Sequence, residues 1–367
     1  MKNLFEIASK TLIASTTDAQ NWLVDLGDGS AFMPAGHNGP HFALESPVRN
    51  TSHWLVAFLI AQRITGDKRF ADAIAKIRSW LVTENPYYRK DSYVLRQRGN
   101  QDWCNGVIGH AWVLEAFARL GRYENDELAI SLAENIIENH RFDKLANAWR
   151  RHDPENERYG VDYTYDHQAW LAAAIGDLGQ SHDVGMFLAH SNKKGFGVRE
   201  SGRIKHILTA NTPRGLAVRL RFLMREYLNA KWVTEIENAY QIYTLFPLAR
   251  LYGNNSQHPL FQSEKFERAL NYCTKPFLDS LNNTPYGFGY NAPGLELPMV
   301  YLAFHNRLPL SEDDVIDILE EQLNFTLSPV MNLLAVRTPD PMTLSARIYE
   351  LGLFCEAYKD WGSAGDK

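Results

Sequence analysis

Stretches of helical apolar periodicity, each preceded by a short polar cluster, recur along this chain of 367 residues. In the clearest example, the polar cluster Asp102–Gly106 leads into apolar positions that continue to Leu120. Similar starts lie near residues 50, 105, 166, 238, 296 and 342. Three of these stretches end at Gly66, Gly121 and Gly253, a residue type that favours a left-handed helix cap. The pattern therefore predicts six mainly apolar helices.

More highly charged amphipathic segments follow most of the apolar stretches and predict a second helix in each unit. They span roughly 70–82, 126–140, 263–278 and 311–323, and the last of them opens with a capping-box pattern from Ser311 to Asp314. A first amphipathic helix is predicted near the N-terminus, and β patterns are scarce. The spacing between starts is too irregular for a solenoid of identical repeats. We therefore predict an all-α fold, a single (α/α)6 toroid domain over residues 1–367 with the apolar helices as the inner ring; an open superhelix of helix pairs is the alternative.

Composition and charge restrict the class of protein further. Apolar residues make up 45% of the chain and charged residues 22%, as in ordinary soluble proteins, and the net charge of -5 argues against nucleic acid as a partner. Three cysteines without paired spacing predict a reducing compartment. We recognise no signal peptide and no apolar run of membrane length, so we expect a cytoplasmic protein without a membrane span. Aromatic residues, at 12%, suit sugar binding as well as helix packing.

The segment 191–214 interrupts the repeats and is strongly basic. Its only acidic residue is Glu200. Its lysines and arginines are Lys193, Lys194, Arg199, Arg203, Lys205 and Arg214. Such a segment is typical of a solvated surface loop, or of a mobile flap that offers cationic groups to an anionic substrate.

Ring closure would bring the polar clusters together around one pocket, because the inner helices would begin at the same end of the toroid. Each cluster also contains good helix-capping residues, so capping is the alternative interpretation. The candidate catalytic residues are Asp102, Asp166, Glu296, His167 and Tyr165. The candidate substrate-binding residues are Asn50, His53, Trp103, Asn105, His110, Gln168, Tyr240, Tyr290, Asn291, Arg347, Tyr349 and Glu350.

Two reaction types fit these candidates. Glycoside hydrolysis needs a general acid and a second carboxylate, for which Asp102, Asp166 and Glu296 are available; a carboxyl group beside Trp103 would be suited to the acid role. Proton abstraction at C5 of a uronic acid, which leads to elimination or epimerisation, would instead use a tyrosine or histidine base and a group such as Arg347 that neutralises the sugar carboxylate.

A zinc site is a third possibility. Cys104 offers one thiolate and His110 or His167 an imidazole, whereas zinc requires three or four ligands. Neither Cys273 nor Cys355 has a histidine beside it. We therefore expect no metal and no other cofactor.

Several motifs resemble known toroid proteins. The segment Asn105–Trp112 with the helix after it resembles the inner helices of (α/α)6-toroid carbohydrate enzymes, among them the unsaturated glucuronyl and rhamnogalacturonyl hydrolases, and this resemblance implies that Asp102 and Asp166 correspond to their two aspartates. A wider set of segments resembles a poorly characterised group of toroid proteins associated with bacterial surface-polysaccharide gene clusters. Those segments are Gly36–Pro40, Pro47–Thr51, Asp102–Gly106, Asp166–Gln168, Tyr290–Glu296 and Thr343–Glu350. The segment Trp103–Gly106 also resembles a motif of the lanthionine cyclases, but their Cys–His–Gly zinc motif is absent here.

The sequence thus predicts an enzyme that cleaves a glycosidic bond in an oligo- or polysaccharide containing uronic acid, with hydrolysis favoured. A polysaccharide lyase or a uronyl C5-epimerase is the first alternative. A toroid that binds a glycan or a peptide without chemistry is the second. In each case we expect an anionic ligand, and for an enzyme this is an anionic oligo- or polysaccharide substrate.

Overall fold

The structure is a computed structural model and describes residues 1–83, 85–97, 102–155, 159–180 and 182–365, with side chains as far as residue 361. In chain order its α-helices are α1 (Lys2–Ala19), α2 (Val48–Thr65), α3 (Ala71–Val82), α4 (Ile108–Glu124), α5 (Glu127–Asn139), α6 (Tyr165–Asp177), α7 (His182–His190), α8 (Pro213–Leu228), α9 (Ala230–Ala239), α10 (Gln241–Asn255), α11 (Glu264–Asn271), α12 (Lys275–Asp279), α13 (Pro293–Phe304), α14 (Glu312–Thr326), α15 (Pro341–Ala346) and α16 (Tyr349–Gly365). Three antiparallel hairpins pair β1 (Val24–Asp25) with β2 (Ala31–Phe32), β3 (Tyr88–Arg89) with β4 (Ser92–Tyr93), and β5 (Phe142–Asp143) with β6 (Ala148–Trp149).

Six helices form a closed inner ring. Helices α2, α4, α6, α10, α13 and α16 each pack against the next one in this order, and α16 packs back against α2. About 64% of the chain is helical. The ring confirms the prediction of an all-α (α/α)6 toroid and excludes the open superhelix, in which the first and last units would not meet.

Burial explains which helices lie inside. Every residue of α2 from Val48 to Ala61 is buried, because this helix packs on neighbours to both sides and on the outer layer. The outer helix α5 buries only Ala129, Ala133 and Ile136, a single stripe. The outer helix of the sixth unit comes from the other end of the chain, since α1 packs against both α16 and α2.

The predicted glycine caps are correct at one of the three positions. Gly66 ends α2 in the left-handed region, with φ of 69°. In contrast, α4 continues through Gly121 to Glu124 and is ended by Asn125 with φ of 54°, and α10 continues through Gly253. A Cβ atom on Gly121 would lie 2.3 Å from Cδ1 of Ile130, so this glycine allows α4 and α5 to pack closely.

Three segments differ from the predicted units. The sixth apolar helix is interrupted, because α15 ends at Ala346 and α16 begins at Tyr349, which leaves Arg347 at the break. Between the third and fourth inner helices, the chain adds α8 and α9, which the apolar pattern did not predict. The predicted second helix over 263–278 is divided into α11 and α12, whereas the capping box at Ser311 and Asp314 is present.

The basic segment 191–214 is tied down by bridges and ion pairs. Val198 pairs with Ile204 in an isolated β-bridge, and Ile207 pairs with Thr164 at the start of α6. Two of the segment's guanidinium groups bind a protein carboxylate rather than facing a substrate: Arg199 Nη2 lies 2.7 Å from Glu237 Oε1 and Arg203 Nε lies 2.9 Å from Glu237 Oε2.

Candidate functional site

A cavity of about 190 Å³ opens at the end of the ring where the inner helices begin. Its lining residues are Asn38, His41, Arg49, Arg96, Asn105, Ile108, Trp112, Asp166, His167, His206, Tyr240, Tyr243, Tyr290, Asn291 and Arg347. A larger groove, of about 570 Å³, lies between α3 and α5 on the outer surface, but it gathers no comparable set of aromatic and titratable groups. The cavity at the ring axis is therefore the candidate active site.

Ring closure brings part of the predicted site together. Seven of the predicted residues line the cavity although they come from distant parts of the chain: Asn105, Asp166, His167, Tyr240, Tyr290, Asn291 and Arg347. They lie on, or just before, the first turns of inner helices. These helix ends also direct N–H groups and partial positive charge towards a bound anion.

One imidazole–carboxylate pair is formed by His167 and Asp162. His167 Nδ1 lies 2.8 Å from Asp162 Oδ2, and the same oxygen accepts the backbone N–H of Val107 at 3.0 Å. Burial disfavours the charged ring, but the charge and hydrogen bond of Asp162 outweigh it and raise the pKa of His167. The imidazolium form is thus favoured at the cavity wall.

Gly106 makes this pair possible. Its φ of +65° lies in the left-handed region, and a Cβ atom there would come within 2.2 Å of Asp162 Oδ2 and 2.5 Å of His167 Nδ1. Only glycine satisfies both the backbone conformation and the space available.

A second pair is formed by Asp166 and His206. His206 Nδ1 lies 2.9 Å from Asp166 Oδ1, although the approach angle is outside hydrogen-bond geometry, and neither Asp166 oxygen accepts a hydrogen bond from the described residues. The Asp166 side chain is fully buried, and the His206 ring stands edge-on to Tyr240 at 5.1 Å between centroids. Asp166 therefore presents a buried carboxylate that a hydroxyl of a ligand is able to satisfy.

His41 is a third imidazole on the cavity wall. The loop that carries it is anchored by Asp340, whose Oδ2 accepts the backbone N–H groups of His37 at 2.8 Å and Gly39 at 3.2 Å. The His41 ring packs edge-on to Tyr290 at 5.5 Å. The His41 side chain as a whole is exposed, but partial desolvation of its ring at the cavity wall, with the positive charges of nearby arginines, lowers its pKa, which favours the neutral form.

Each arginine at the cavity is backed by a carboxylate. Arg49 Nη1 lies 3.0 Å from Glu45 Oε1, and its guanidinium carbon stands 4.1 Å from the centre of the Trp112 ring. Arg347 forms ion pairs with Glu296 and with Glu350. These carboxylates orient the guanidinium groups and leave N–H donors available to a substrate oxygen or carboxylate.

The cavity tyrosines are suited to hydrogen bonding rather than to proton abstraction. Burial raises the pKa of Tyr240 and Tyr243 well above the usual value, so both phenols stay neutral. Tyr290 donates a hydrogen bond from its hydroxyl to Asn38 Oδ1 at 2.9 Å.

Three of the five candidate catalytic residues do not line the cavity. Asp102 lies between two guanidinium groups, with Oδ1 3.0 Å from Arg96 Nη1 and Oδ2 2.6 Å from Arg151 Nη1. Glu296 is fully buried behind Arg347. Tyr165 points towards the outer layer, where its ring packs on aromatic side chains and its hydroxyl donates to Ser191 Oγ at 3.2 Å. Asp166 and His167 are the two that remain in the cavity.

Several candidate binding residues also have structural contacts elsewhere. His53 is buried between Trp112 and Tyr349, with its ring 4.2 Å from that of Tyr349, and Glu350 lies behind Arg347. Burial lowers the pKa of His53 well below its usual value.

Three others bind the protein backbone with their side chains, whereas Trp103 is held through its own backbone N–H. Asn50 donates from Nδ2 to the carbonyl of Pro34 at 2.8 Å, and Gln168 Oε1 accepts the N–H of Trp149 at 2.8 Å. His110 Nε2 accepts the N–H of Tyr93 at 3.0 Å. The N–H of Trp103 donates to Asp153 Oδ2 at 3.2 Å, and its half-buried ring is not part of the cavity wall.

Sequence reasoning missed eight lining residues: Asn38, His41, Arg49, Arg96, Ile108, Trp112, His206 and Tyr243. Signals for some of them were present. Asn38 and Arg49 lie in segments that resemble other toroid proteins, and Tyr243 follows Tyr240 by one helical turn. His206 lies within the basic segment 191–214, whose interpretation rested on its lysines and arginines and not on its histidine.

The described residues contain no group of three or more His, Cys, Asp or Glu side chains arranged to hold a metal ion. Cys104 is buried, and burial raises the pKa of its thiol well above the usual value, which disfavours the thiolate that a metal would require.

Comparison with solved structures defines the class. No protein-family model matches the chain. The fold matches cellobiose 2-epimerase from Bacillus thermoamylovorans with a TM-score of 0.60 and 11% identity, over 96% of this chain and 99% of the other. A sugar epimerase from a ruminal bacterium matches with a TM-score of 0.62 and 11% identity over 95% and 97% of the two chains, and an unsaturated glucuronyl hydrolase specific for heparin with 0.55 and 13% over 98% of each. The chain is thus an (α/α)6 toroid of the kind found in carbohydrate-active enzymes.

A curated relative specifies the family. The chain is 30% identical over 360 residues to Archaeal glycosylation protein Q of Haloferax volcanii, across 92% of this chain and 95% of that protein. It belongs to the family of that protein. Among the described residues, no helix is long and apolar enough to cross a membrane.

Proposed function

We propose that this protein is an enzyme that transfers a proton on a saccharide, as an epimerase or isomerase does, through the histidines of the central cavity. The observation that carries the proposal is the composition of the cavity wall. His41, His167 and His206 line it, whereas Asp166 is the single carboxylate among the described lining residues. Glycoside hydrolysis commonly uses two carboxyl groups across the bond, whereas proton transfer needs a base and an acid with pKa values near the working pH.

The two environments support opposite roles for two of the imidazoles. His41 has a lowered pKa and is suited to act as the base. His167 has a raised pKa and is suited to act as the acid. Environments that separate the pKa values of similar groups are a common feature of acid–base pairs.

In the proposed reaction, neutral His41 removes the proton from a carbon beside a carbonyl or carboxylate group. The electron pair moves onto the adjacent oxygen and forms an enediolate, which the N–H groups of Arg49 and Arg347 stabilise. The His167 imidazolium then returns a proton to the opposite face of the same carbon, which gives the epimer. In an isomerisation it protonates the former carbonyl carbon instead, while the proton of the neighbouring hydroxyl group moves to the former carbonyl oxygen. Proton exchange with solvent then restores neutral His41 and the His167 imidazolium. The sugar is neither oxidised nor reduced overall.

The relatives support a saccharide as the substrate. The relative from H. volcanii is named for glycosylation, and the toroid neighbours are named for enzymes that act on sugars. A uronic acid fits the site best, because the helix N-termini and the cavity arginines favour a carboxylate.

Proton exchange with solvent tests the proposal. The protein is incubated in D₂O with neutral aldoses, free uronic acids and acidic oligosaccharides, and both deuterium in the sugar and new reducing ends are measured. We expect deuterium at the carbon next to the carbonyl or carboxyl group, with no new reducing ends. Reducing ends without deuterium would overturn the proposal in favour of hydrolysis, and sugar binding without any reaction would favour a scaffold.

Two substitutions connect the exchange to the cavity. His41→Gln and His167→Gln are expected to lower the rate of deuterium incorporation by about 10²–10⁴-fold, the usual contribution of a general acid or base. His182→Gln is the matched control, because His182 is exposed on the outer helix α7.

Cleavage of a glycosidic bond is the second candidate, and one observation favours it. The buried Asp166 carboxyl group, which has no hydrogen bond from the described residues, is placed to protonate a glycosidic oxygen. Asp102 and Glu296 do not line the cavity themselves but pair with the lining arginines Arg96 and Arg347, so the second carboxyl group of a hydrolase is not among the described lining residues. Elimination would share the first step of the proposed proton transfer and would give an unsaturated uronate.

A further inference from the structure

Helix α8 exposes a continuous apolar face to solvent. Its residues Leu216, Leu220, Met224, Tyr227 and Leu228 are between 53% and 90% exposed, and Leu223 is 46% exposed. At 3.6 residues per turn these side chains occupy one arc of roughly 140° around the helix axis. A continuous exposed apolar stripe on a helix marks an interaction site, whereas scattered single apolar residues on a surface are normal.

The opposite side of α8 attaches it to the protein. Gly215 is buried, and Val218 and Phe222 are partly buried towards the body of the molecule. Glu226 forms an ion pair with Arg199, with 2.6 Å between Oε1 and Nη1. The apolar stripe therefore faces away from the core because the helix is held by its other side.

Arginines border the apolar stripe on both sides. Helical geometry places Arg221, Arg214 and Arg225 along one edge and Arg219 along the other. The guanidinium of Arg225 also packs over the Trp232 ring of α9 at 3.9 Å. Glu226, the single acidic residue of α8, is already paired, so the exposed surface of this helix is basic although the whole chain has a net charge of -5.

We propose that α8 is an interfacial helix that docks the protein on an anionic lipid surface. Its apolar residues enter the boundary between headgroups and acyl chains, and the flanking arginines bind the phosphate groups. Helix α8 lies along the surface and does not cross it. It follows directly on the segment that carries His206, so docking places the lipid surface near the chain segment that forms part of the cavity wall.

Charge favours lipid over a second copy of the chain as the occupant. A symmetric dimer through α8 would bring the apolar stripes together, but it would also bring the two rows of arginines together without an acidic counterpart on the same face. An anionic bilayer supplies both the apolar layer and the counter-charge.

Vesicle flotation tests the proposal. The full chain is mixed with vesicles of phosphatidylcholine alone, or with vesicles in which about one third of the lipid is phosphatidylglycerol. We expect binding to the anionic vesicles that weakens with salt, and little binding to the neutral ones. Leu220→Glu together with Met224→Glu should weaken binding by at least about tenfold, and Arg219→Gln together with Arg221→Gln by about tenfold.

The matched controls introduce the same charge at exposed apolar residues elsewhere. Leu145→Glu and Val330→Glu alter side chains that are 80% and 83% exposed, and they should leave vesicle binding unchanged. Circular dichroism and thermal melting confirm that all variants fold. Absence of binding to the anionic vesicles, or an equal loss in the controls, would overturn the proposal. A dimer in light scattering that Leu220→Glu dissociates, without vesicle binding, would overturn it in favour of a second copy.

Discussion

The Nδ1 atom of His167 lies 2.8 Å from Oδ2 of Asp162, and this carboxylate raises the pKa of the imidazole on the cavity wall. Asp162 is itself held in place by backbone N–H groups, from Val107 at 3.0 Å and from Thr164 at 3.0 Å. The start of α4 and the start of α6 thus jointly determine the orientation and the charge of one side chain. The effect of Asp162 on the pKa of His167 can therefore be measured by removing the Asp162 charge.

Asp162→Asn should lower the pKa of His167 below its value in the wild-type protein, because the charge that favours the imidazolium is removed. In the wild type this pKa is raised above the ordinary value of about 6.5, so the pair stabilises the fold fully below that pH and its contribution is lost as pH rises through the folded-state pKa. A titration of the imidazole nitrogens by NMR measures the change, and His167→Gln identifies the resonances. An unchanged titration in the variant would contradict the role of Asp162.

Asp166→Asn should lower turnover by at least about tenfold without unfolding the protein, because Asp166 lines the cavity beside His206 and is placed to accept a hydrogen bond from a substrate hydroxyl. Asp102→Asn is the informative comparison. It removes a charge that does not line the cavity but pairs with Arg96 of the cavity wall and with Arg151 behind it, so we expect a loss of stability of about 1–3 kcal/mol and less than tenfold loss of turnover. Thermal melts and steady-state rates of both variants separate the effects. Equal losses of turnover would restore Asp102 as a catalytic candidate.

The sequence predicted the ring because burial on every side leaves a distinctive apolar pattern. It misplaced the end of α4 because the last turn, with Arg122 and Glu124, is polar and resembles a loop, although the helix continues through Gly121. Helix α8 was not predicted, since its large apolar residues face solvent and are interspersed with four arginines.

The site was only partly predictable from the sequence because the side chains of neighbouring residues point in different directions. Tyr165 and Asp166 are consecutive in a helix and point about 100° apart, so one faces the outer layer and the other the cavity. Asn105 lines the cavity and Asp102, three residues earlier, does not, because the backbone turns through the left-handed region at Asn105, with φ of 55°. His41 ends a short 3-10 helix, Gly39–His41, and His206 comes from an irregular segment, so no periodic pattern indicates the direction of either side chain.

The buried acids around Arg347 should make stability depend on pH. Burial raises the pKa of Glu296 and Glu350, with the charge of Arg347 opposing it. A raised folded-state pKa means that the folded protein keeps protons that the unfolded chain releases, so stability falls as pH rises above about 4.5. Chemical denaturation from about pH 5 to about pH 8 should show a loss of roughly 1.4 kcal/mol for each unit of upward shift. Glu350→Gln should reduce this dependence, whereas Glu320→Gln, at an exposed position of α14, should not. The same slope of unfolding free energy against pH in the wild type and both variants would contradict the interpretation.

The rate of the proposed proton transfer should have a bell-shaped dependence on pH. His41 must be neutral to act as a base, and its lowered pKa places the rising limb of kcat/KM below about pH 6.5. His167 must be protonated to act as an acid, and its raised pKa places the falling limb above that value. Both groups are then in their active forms between the two limbs, around pH 6.5, which is the arrangement that favours turnover. His41→Gln should remove the rising limb from the residual activity, and His182→Gln should leave the profile unchanged. A rate that only falls with rising pH, from the acid range onwards, would instead indicate a carboxylic acid such as Asp166 as the proton donor.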